Sequence, residues 1–228
     1  MNHGTSKKEF KILDENLSNT SNGGKVYKIS KRVIDISGAL IGLIITFPIF
    51  LLISLLYLFG ANRGPVFFSQ PRVGKDGEMF KMYKFRSMVI NAEQVLKDNP
   101  VLYQKYLNNS YKLEPEEDPR ITKIGGFLRK SSLDELPQLI NVLKGDMSLV
   151  GPRPVIEEEL KEYSDRLKDF LTVKPGVTGY WQICGRSDVG YPERADLEYY
   201  YIDNRSLKFD LKILINTISL VITSKGAY

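Results

Sequence analysis

Ile36-Ser-Gly-Ala-Leu-Ile-Gly-Leu-Ile-Ile-Thr-Phe-Pro48-Ile-Phe-Leu-Leu-Ile-Ser-Leu-Leu-Tyr-Leu-Phe-Gly-Ala61 is a run of 26 residues without a single charge. As a straight helix at about 1.5 Å per residue it reaches roughly 39 Å, enough to cross about 30 Å of hydrocarbon with some tilt. It starts too far into the chain, is too long and lacks the small-residue cleavage site of a secretory signal peptide. Two features oppose a simple crossing. Pro48 in the middle removes a helix hydrogen bond and crowds the preceding turn. Both flanks are basic, with Lys25, Lys28, Lys31 and Arg32 before the run and Arg63, Arg72 and Lys75 after it, so both ends prefer the cytoplasmic side. A re-entrant helix-break-helix broken at Pro48 satisfies both features, and a single span satisfies the length. The residues alone leave the two open.

Outward from this run the chain divides into three. Residues 1–24 are polar, rich in Asn, Ser, Lys and Gly, and read as a disordered tail. Residues 25–62 form the membrane-embedded segment, and 63–228 read as one compact α+β cytoplasmic domain with amphipathic helices. At 43% hydrophobic and 26% charged, the chain is neither intrinsically disordered nor a multi-span transporter. The lone Cys184 excludes an intrachain disulfide and a Cys-cluster zinc site. The lone His3 sits in the tail, so carboxylates, Lys and Arg must carry any catalysis.

Within the domain, Pro65 to Gln70 and Glu78 to Phe85 read as strands about the turn Gly74-Lys75-Asp76-Gly77. Ile156, Leu160, Tyr163, Leu167, Phe170 and Leu171 fall at helical spacing and predict a helix over 155–171, ended by Pro175-Gly176. From Leu207 to Thr223, Leu211, Leu214, Ile215, Ile218 and Ile222 share one side. A core helix is favoured there over one lying in the membrane interface.

The densest segment is Arg129-Lys-Ser-Ser-Leu-Asp134-Glu135-Leu-Pro137-Gln138, followed by Asp146 and Gly151-Pro-Arg153-Pro154. On pattern alone Asp134 reads as the N-cap of a helix, with Glu135 in the first turn and Pro137 close behind. The chemical reading makes Asp134 a nucleophile toward phosphorus, provided that cations offset the repulsion between two anions. Lys84, Arg86, Arg129, Arg153 and Arg186 are such cations, arginine being suited to bidentate phosphate contacts.

Tyr83-Lys84-Phe85-Arg86-Ser87-Met88, Asp118-Pro119-Arg120-Ile121-Thr122, Leu133-Asp134-Glu135-Leu136-Pro137-Gln138, Lys144-Gly145-Asp146-Met147-Ser148 with Gly151-Pro152-Arg153-Pro154, and Lys174-Pro175-Gly176-Val177-Thr178-Gly179 together resemble the bacterial sugar transferases, the monotopic polyprenyl-phosphate phosphoglycosyl transferases. The resemblance runs from about Lys31 to Ser224. It implies a mainly helical α+β monotopic membrane protein whose re-entrant helix sits in the cytoplasmic leaflet of the cell membrane, both flanks cytoplasmic. It also implies transfer of a sugar 1-phosphate from a UDP-sugar to undecaprenyl phosphate, with release of UMP. In that scheme Asp134 forms a covalent phosphosugar intermediate, Glu135 binds Mg²⁺, and Lys84, Arg86, Arg129, Arg153 and Arg186 contact phosphate. A hard divalent cation suits the task, since it screens an anionic nucleophile from an anionic substrate. The product would start a capsule or exopolysaccharide and pass to downstream glycosyltransferases. Membrane lipid is a further partner, a homodimer is open, and nucleic acid is not expected. The family's break is a Ser-Pro pair, where this chain has Phe47-Pro48 with Thr46 one residue earlier. Its acid before the Tyr-Tyr pair corresponds to Asp196 or Glu198.

A rival reading is a non-catalytic membrane-anchored protein whose basic face holds anionic lipid or a protein partner, with Asp134 only capping a helix. Its sharpest test is an Asp134→Asn variant that folds. A pI of about 9.1 alone argues weakly for nucleic acid, and Trp181 with Tyr199 to Tyr201 fits packing better than base stacking. The motifs concern phosphate and metal, so the sugar is not legible.

Overall fold

The computed structural model describes residues 24–109, 113–114, 117–185 and 189–223. The tail before Gly24 and Arg186 lie outside the described residues. The apolar run is part of one helix, α1 (Lys25–Leu56), assigned without interruption through Pro48. Thr46 Oγ1 donates to the Gly42 carbonyl at 2.7 Å. That is two residues short of Ile44, whose carbonyl cannot receive a bond from the proline.

One stripe of α1 faces protein. Asp35 and Ala39 are buried, and a Cβ added at Gly38 would lie 2.6 Å from Leu149 Cδ1, one at Gly42 3.0 Å from Leu139 Cδ1. Small residues at helical spacing therefore let the domain approach the helix axis. Both ends of α1 are tied to the domain. Tyr27 donates to Asp210 at 3.1 Å, Lys31 pairs with Asp210 at 3.0 Å, and Asp35 accepts from Ser148 and from the Leu149 N–H, both at 2.9 Å. At the far end Ile53 and Tyr57 are buried with Phe85 and Leu128. The other stripe is exposed and apolar, with Ile41, Ile44, Ile45, Phe47, Leu51 and Leu52 among its residues.

After α1, β1 (Phe67–Val73) and β2 (Met79–Phe85) pair antiparallel with Phe68 opposite Lys84 and Arg72 opposite Phe80. Asp76 and Gly77 both adopt positive φ in the intervening turn, the conformation that twists a hairpin correctly. Both strands lie close to the predicted spans, although β1 begins and ends later. Then come α2 (Ala92–Lys97), α3 (Pro100–Asn108), α4 (Lys123–Lys130), a 3₁₀ turn at Leu133–Glu135 and α5 (Gln138–Lys144). A second sheet joins β3 (Ser148–Val150) to β4 (Gly176–Thr178) in parallel. Between them lie a 3₁₀ segment, Glu157–Arg166, and α6 (Leu167–Leu171). The chain ends in α7 (Tyr180–Cys184), α8 (Glu193–Asn204) and α9 (Leu207–Thr223). The fold is thus α+β and mainly helical, with one long apolar helix.

Two local expectations need correction. The predicted helix over 155–171 is mostly 3₁₀, broken where Tyr163 takes φ −106° and ψ 17°. Tyr163 leaves the helical path to pack on Phe170, with ring centroids 4.0 Å apart, and to hydrogen-bond Glu198. In α9 the side read as core is not the buried one. Phe209 and Ile213 are buried, whereas Leu211, Ile215 and Ile218 are about 60% exposed, a second apolar face beside that of α1.

Candidate active site

Asp134 does not cap a helix. It sits in the 3₁₀ turn after Ser132, a non-glycine residue at φ 58°, and α5 starts later, behind Pro137, with no side-chain cap. A left-handed serine is strained, and here the strain turns the chain so that the Asp134 side chain lies inside, 10% exposed. Its neighbour Glu135 reaches outward, 40% exposed. The N-cap reading fails because the turn before the helix consumes the residues assigned to its first turn.

Three segments converge on this turn. The strand β2 places Phe85 in the core and Lys84 on the opposite face, where its Nζ lies 2.8 Å from Glu135 Oε1 and 4.0 Å from Asp134 Oδ2. Asn141, fully buried, accepts from the Tyr83 N–H at 2.9 Å and donates to the Lys81 carbonyl at 2.7 Å. One amide thereby fixes α5, and the dyad ahead of it, against the strand that carries Lys84. The helix α4 brings Arg129. Thr122 caps it by accepting from the Gly125 N–H at 2.9 Å, and a Cβ on Gly125 would fall 1.8 Å from the Ser87 carbonyl oxygen, so only glycine lets α4 close on the strand end.

Burial pushes the Asp134 carboxyl up to about 6; Lys84 draws it down, Glu135 pushes it up and Arg129 draws it down. Desolvation thus opposes the ionised form of this carboxyl, and two cations favour it. Among the described residues no group of three or more His, Cys, Asp or Glu could hold a metal ion. Two adjacent carboxylates, one of them reaching solvent, suit Mg²⁺, which commonly takes one or two protein carboxylates and completes its shell with phosphate oxygens and water.

The remaining predicted cations fall elsewhere. Arg86 is buried. It donates to the Pro65 carbonyl at 2.8 Å and to the Asn62 carbonyl, and lies over the Tyr57 ring at 4.9 Å. It thus staples the loop that leaves α1, while the Tyr57 hydroxyl donates to the Arg86 carbonyl. Arg153 belongs to a second cluster. The β3–β4 pair packs Gly151-Pro-Arg153-Pro154 against Lys174 to Gly179, with the Gly176 N–H donating to the Pro152 carbonyl at 2.8 Å. There the Arg153 N–H donates to Glu198 at 3.1 Å. Of the two acids weighed before the tyrosines, Glu198 is buried and Asp196 is exposed, because residues two apart lie on nearly opposite sides of a helix. Burial pushes Glu198 up to about 7, against hydrogen bonds from Tyr163 and the Arg153 backbone and the charges of Arg194 and Arg153.

The model of the bacterial sugar transferases matches residues 26–224. This chain belongs to the bacterial sugar transferase family. The chain is 46% identical over 201 residues to the undecaprenyl-phosphate galactose phosphotransferase of Salmonella typhimurium, covering 87% of this chain and 41% of that protein. It is 45% identical to the exopolysaccharide production protein ExoY of Sinorhizobium fredii over 88% of both chains. It is also 46% identical to the galactosyl transferase CpsE of Streptococcus agalactiae, over 89% of this chain and 45% of that one. The chain thus spans less than half the length of two of these curated relatives and most of the third.

Sequence reasoning did not single out Tyr57, Asn141 or Arg194, and counted Arg72 only as a flanking charge. Arg194 had one available signal, lying four residues before Glu198 on the same helix face.

Proposed function

We propose that the transferase moves a sugar 1-phosphate from a UDP-sugar to undecaprenyl phosphate. The observation that carries this is Asp134, a buried carboxylate that caps nothing and has Lys84 and Arg129 to offset its charge. In the first displacement an Asp134 oxygen attacks the β-phosphorus, the bond from that phosphorus to the bridging oxygen breaks, and UMP leaves with the oxygen. In the second, an oxygen of undecaprenyl phosphate attacks the same phosphorus and the Asp134 carboxylate departs, giving a lipid diphosphate sugar. Lys84 and Arg129 lower the repulsion in both steps. Glu135 would hold Mg²⁺, which neutralises phosphate charge when bound. The relatives' names support this reading, one as an undecaprenyl-phosphate galactose phosphotransferase and one as an exopolysaccharide production protein. The product would feed capsule or exopolysaccharide synthesis through downstream glycosyltransferases.

The same reading places the protein in one leaflet. The domain touches α1 from Tyr27 to Tyr57, roughly 45 Å of helix. A span perpendicular to the bilayer would drag buried ion pairs such as Lys31–Asp210 across the hydrocarbon. A monotopic arrangement instead immerses the outer stripe of α1 together with Leu211, Ile215 and Ile218 of α9, and keeps both flanks cytoplasmic.

Purified full-length protein with undecaprenyl phosphate, Mg²⁺ and a panel of UDP-sugars headed by UDP-galactose tests the chemistry. Lipid- and metal-dependent UMP release with one sugar is expected. Folded protein that releases no UMP with any donor would overturn the reading.

A further inference from the structure

Asp146, of the Lys144-Gly145-Asp146-Met147-Ser148 motif, lies past the end of α5 that is far from the dyad. Gly145 takes φ 93° there, the left-handed conformation that closes a helix. The chain then curls back onto one residue. The backbone carbonyl of Asn141 accepts from the Gly145 and Asp146 N–H groups at 3.0 Å and from the Met147 N–H at 3.3 Å. This curl returns the Asp146 carboxylate to the side chain of the same asparagine, whose Nδ2 donates to Asp146 Oδ2 at 3.1 Å.

The Asn141 amide in turn completes a strand edge. The Arg86 N–H donates to the Val66 carbonyl and the Gly74 N–H to the Glu78 carbonyl, so the even-numbered residues of β2 face β1 in the ladder. Pro71, opposite Lys81, has no N–H to give. Lys81 and Tyr83 therefore turn their peptide groups away from β1, and Asn141 meets both. Its Oδ1 accepts from the Tyr83 N–H at 2.9 Å, and its Nδ2 donates to the Lys81 carbonyl at 2.7 Å. One amide thus stands where a third strand would bond. Lys84 is the next residue along, with its ammonium 2.8 Å from Glu135 and 4.0 Å from Asp134.

A primary amide has two N–H groups and one oxygen. Asn141 spends one N–H on the Lys81 carbonyl and the other on Asp146, which leaves its oxygen facing the Tyr83 N–H. Turned over, the amide would set an N–H against the Tyr83 N–H and its oxygen against two oxygens. Asp146 therefore fixes which way round the amide sits. Lys144 adds an outer tie between the same parts, 3.9 Å from the Asp146 carboxylate and donating to the Tyr83 hydroxyl at 3.2 Å.

We infer that Asp146 is a positioning residue of the transferase: by orienting the Asn141 amide it sets the register of β2 against the dyad, and with it the place of the Lys84 ammonium. This deepens the proposed function and rests on its use of Lys84 to offset phosphate charge. Asp146 touches no substrate and acts only through Asn141 and Lys84. Its loss should slow the chemical step, since displacing a charge-stabilising group by about 1 Å costs on the order of 10²-fold.

The test assays full-length protein in detergent with radiolabelled UDP-sugar, beside thermal melting, for wild type, Asp146→Ala and Asp146→Asn, each also combined with Lys84→Gln. Asp146→Ala should lower kcat by about 10- to 100-fold while donor KM stays within about threefold. Asp146→Asn keeps an oxygen for the Asn141 amide and should return to within about threefold of wild type. In the Lys84→Gln background Asp146→Ala should cost less than about threefold more, because the group that it positions is gone. A penalty as large there as in wild type would overturn the inference, since it would mark a general loosening of the fold. Wild-type kcat in a folded Asp146→Ala protein would overturn it too, as would an Asp146→Asn variant as slow as Asp146→Ala. Should Asp146→Ala fail to fold, Asp146→Ser takes its place in the same cycle. All of these outcomes leave UMP release by the wild type intact, and its absence from folded wild type would sink the proposed function instead.

Discussion

Asp134 and Glu198 are both buried carboxylates, and burial pushes both upward, to about 6 and about 7. Their surroundings differ in kind. Glu198 receives hydrogen bonds from Tyr163 and the Arg153 N–H, so its oxygens are already used in holding a loop. Asp134 faces the Lys84 ammonium only at 4.0 Å and lies beside the more exposed Glu135, which Lys84 holds at 2.8 Å. A raised pKa alone therefore does not mark a nucleophile. What distinguishes Asp134 is that its partners are its own backbone N–H and the cations Lys84 and Arg129, which an incoming phosphate can share.

The largest expected effect separates the two directly. Asp134→Asn should abolish turnover, a loss on the order of 10⁴-fold or more for a group that forms the covalent bond, read as UMP release. The same change should raise stability at pH 7.5. In the folded state the carboxyl keeps its proton up to about 6, whereas the unfolded chain releases it near 3.8. The stabilisation is thus complete below about pH 4 and is lost as pH rises through 6, on the order of 2–3 kcal/mol in all. Asn imitates the neutral form, so melting curves should show a gain at pH 7.5 and none near pH 4. Turnover surviving in the folded variant would erase the distinction.

Glu198 should behave in the opposite way. Glu198→Ala leaves the Tyr163 hydroxyl and the Arg153 N–H without their acceptor and the nearby arginines without a counter-charge, costing about 2–4 kcal/mol by denaturant titration. Glu198→Gln keeps an acceptor oxygen in place and should fold, with turnover reduced by about 10-fold through a less firmly aimed Arg153. If Glu198→Gln were as inactive as Asp134→Asn, Glu198 would belong with the reacting groups.

The contrast also explains what could be read from the chain. The apolar run, the hairpin and the Asp134-Glu135 dyad are local, each announced by neighbours within a few residues, whereas of the predicted cations Lys84 and Arg129 flank the dyad and Arg86 and Arg153 lie elsewhere. The grouping of Arg153, Arg194 and Glu198 about Trp181 was not legible, because its parts come from the Gly151 to Pro154 loop, α7 and α8 and no spacing along the chain links them. Tyr163 shows the same limit. Its helical periodicity was real, yet contacts with Glu198 and Phe170 overrode it. The core side of α9 is not legible in the sequence because the helix is apolar both where it packs on protein and on the face it leaves exposed. Asp196 against Glu198 was undecidable from composition, since helix phase alone separates them.

On the proposed mechanism, ionisation of Asp134 governs the pH dependence of the first displacement. The apparent kcat/KM should rise with pH through about 6 and level off above it, because only the carboxylate attacks phosphorus.

The smallest effect is the most discriminating. Glu135 is one of the groups that push Asp134 upward, so Glu135→Gln should move the inflection of the pH–rate profile downward, by several tenths to about one pH unit. Mg²⁺ dependence should weaken in the same variant. The downward shift has a second consequence, since Lys84 bonds Glu135 at 2.8 Å and stands off from Asp134 at 4.0 Å. With the carboxylate at 135 neutralised, the ammonium is free to close on Asp134, and the two changes act in one direction. An inflection that stayed in place would mean that Asp134 is tuned by burial alone, as Glu198 largely is, and the two carboxylates would differ only in what surrounds them when substrate arrives.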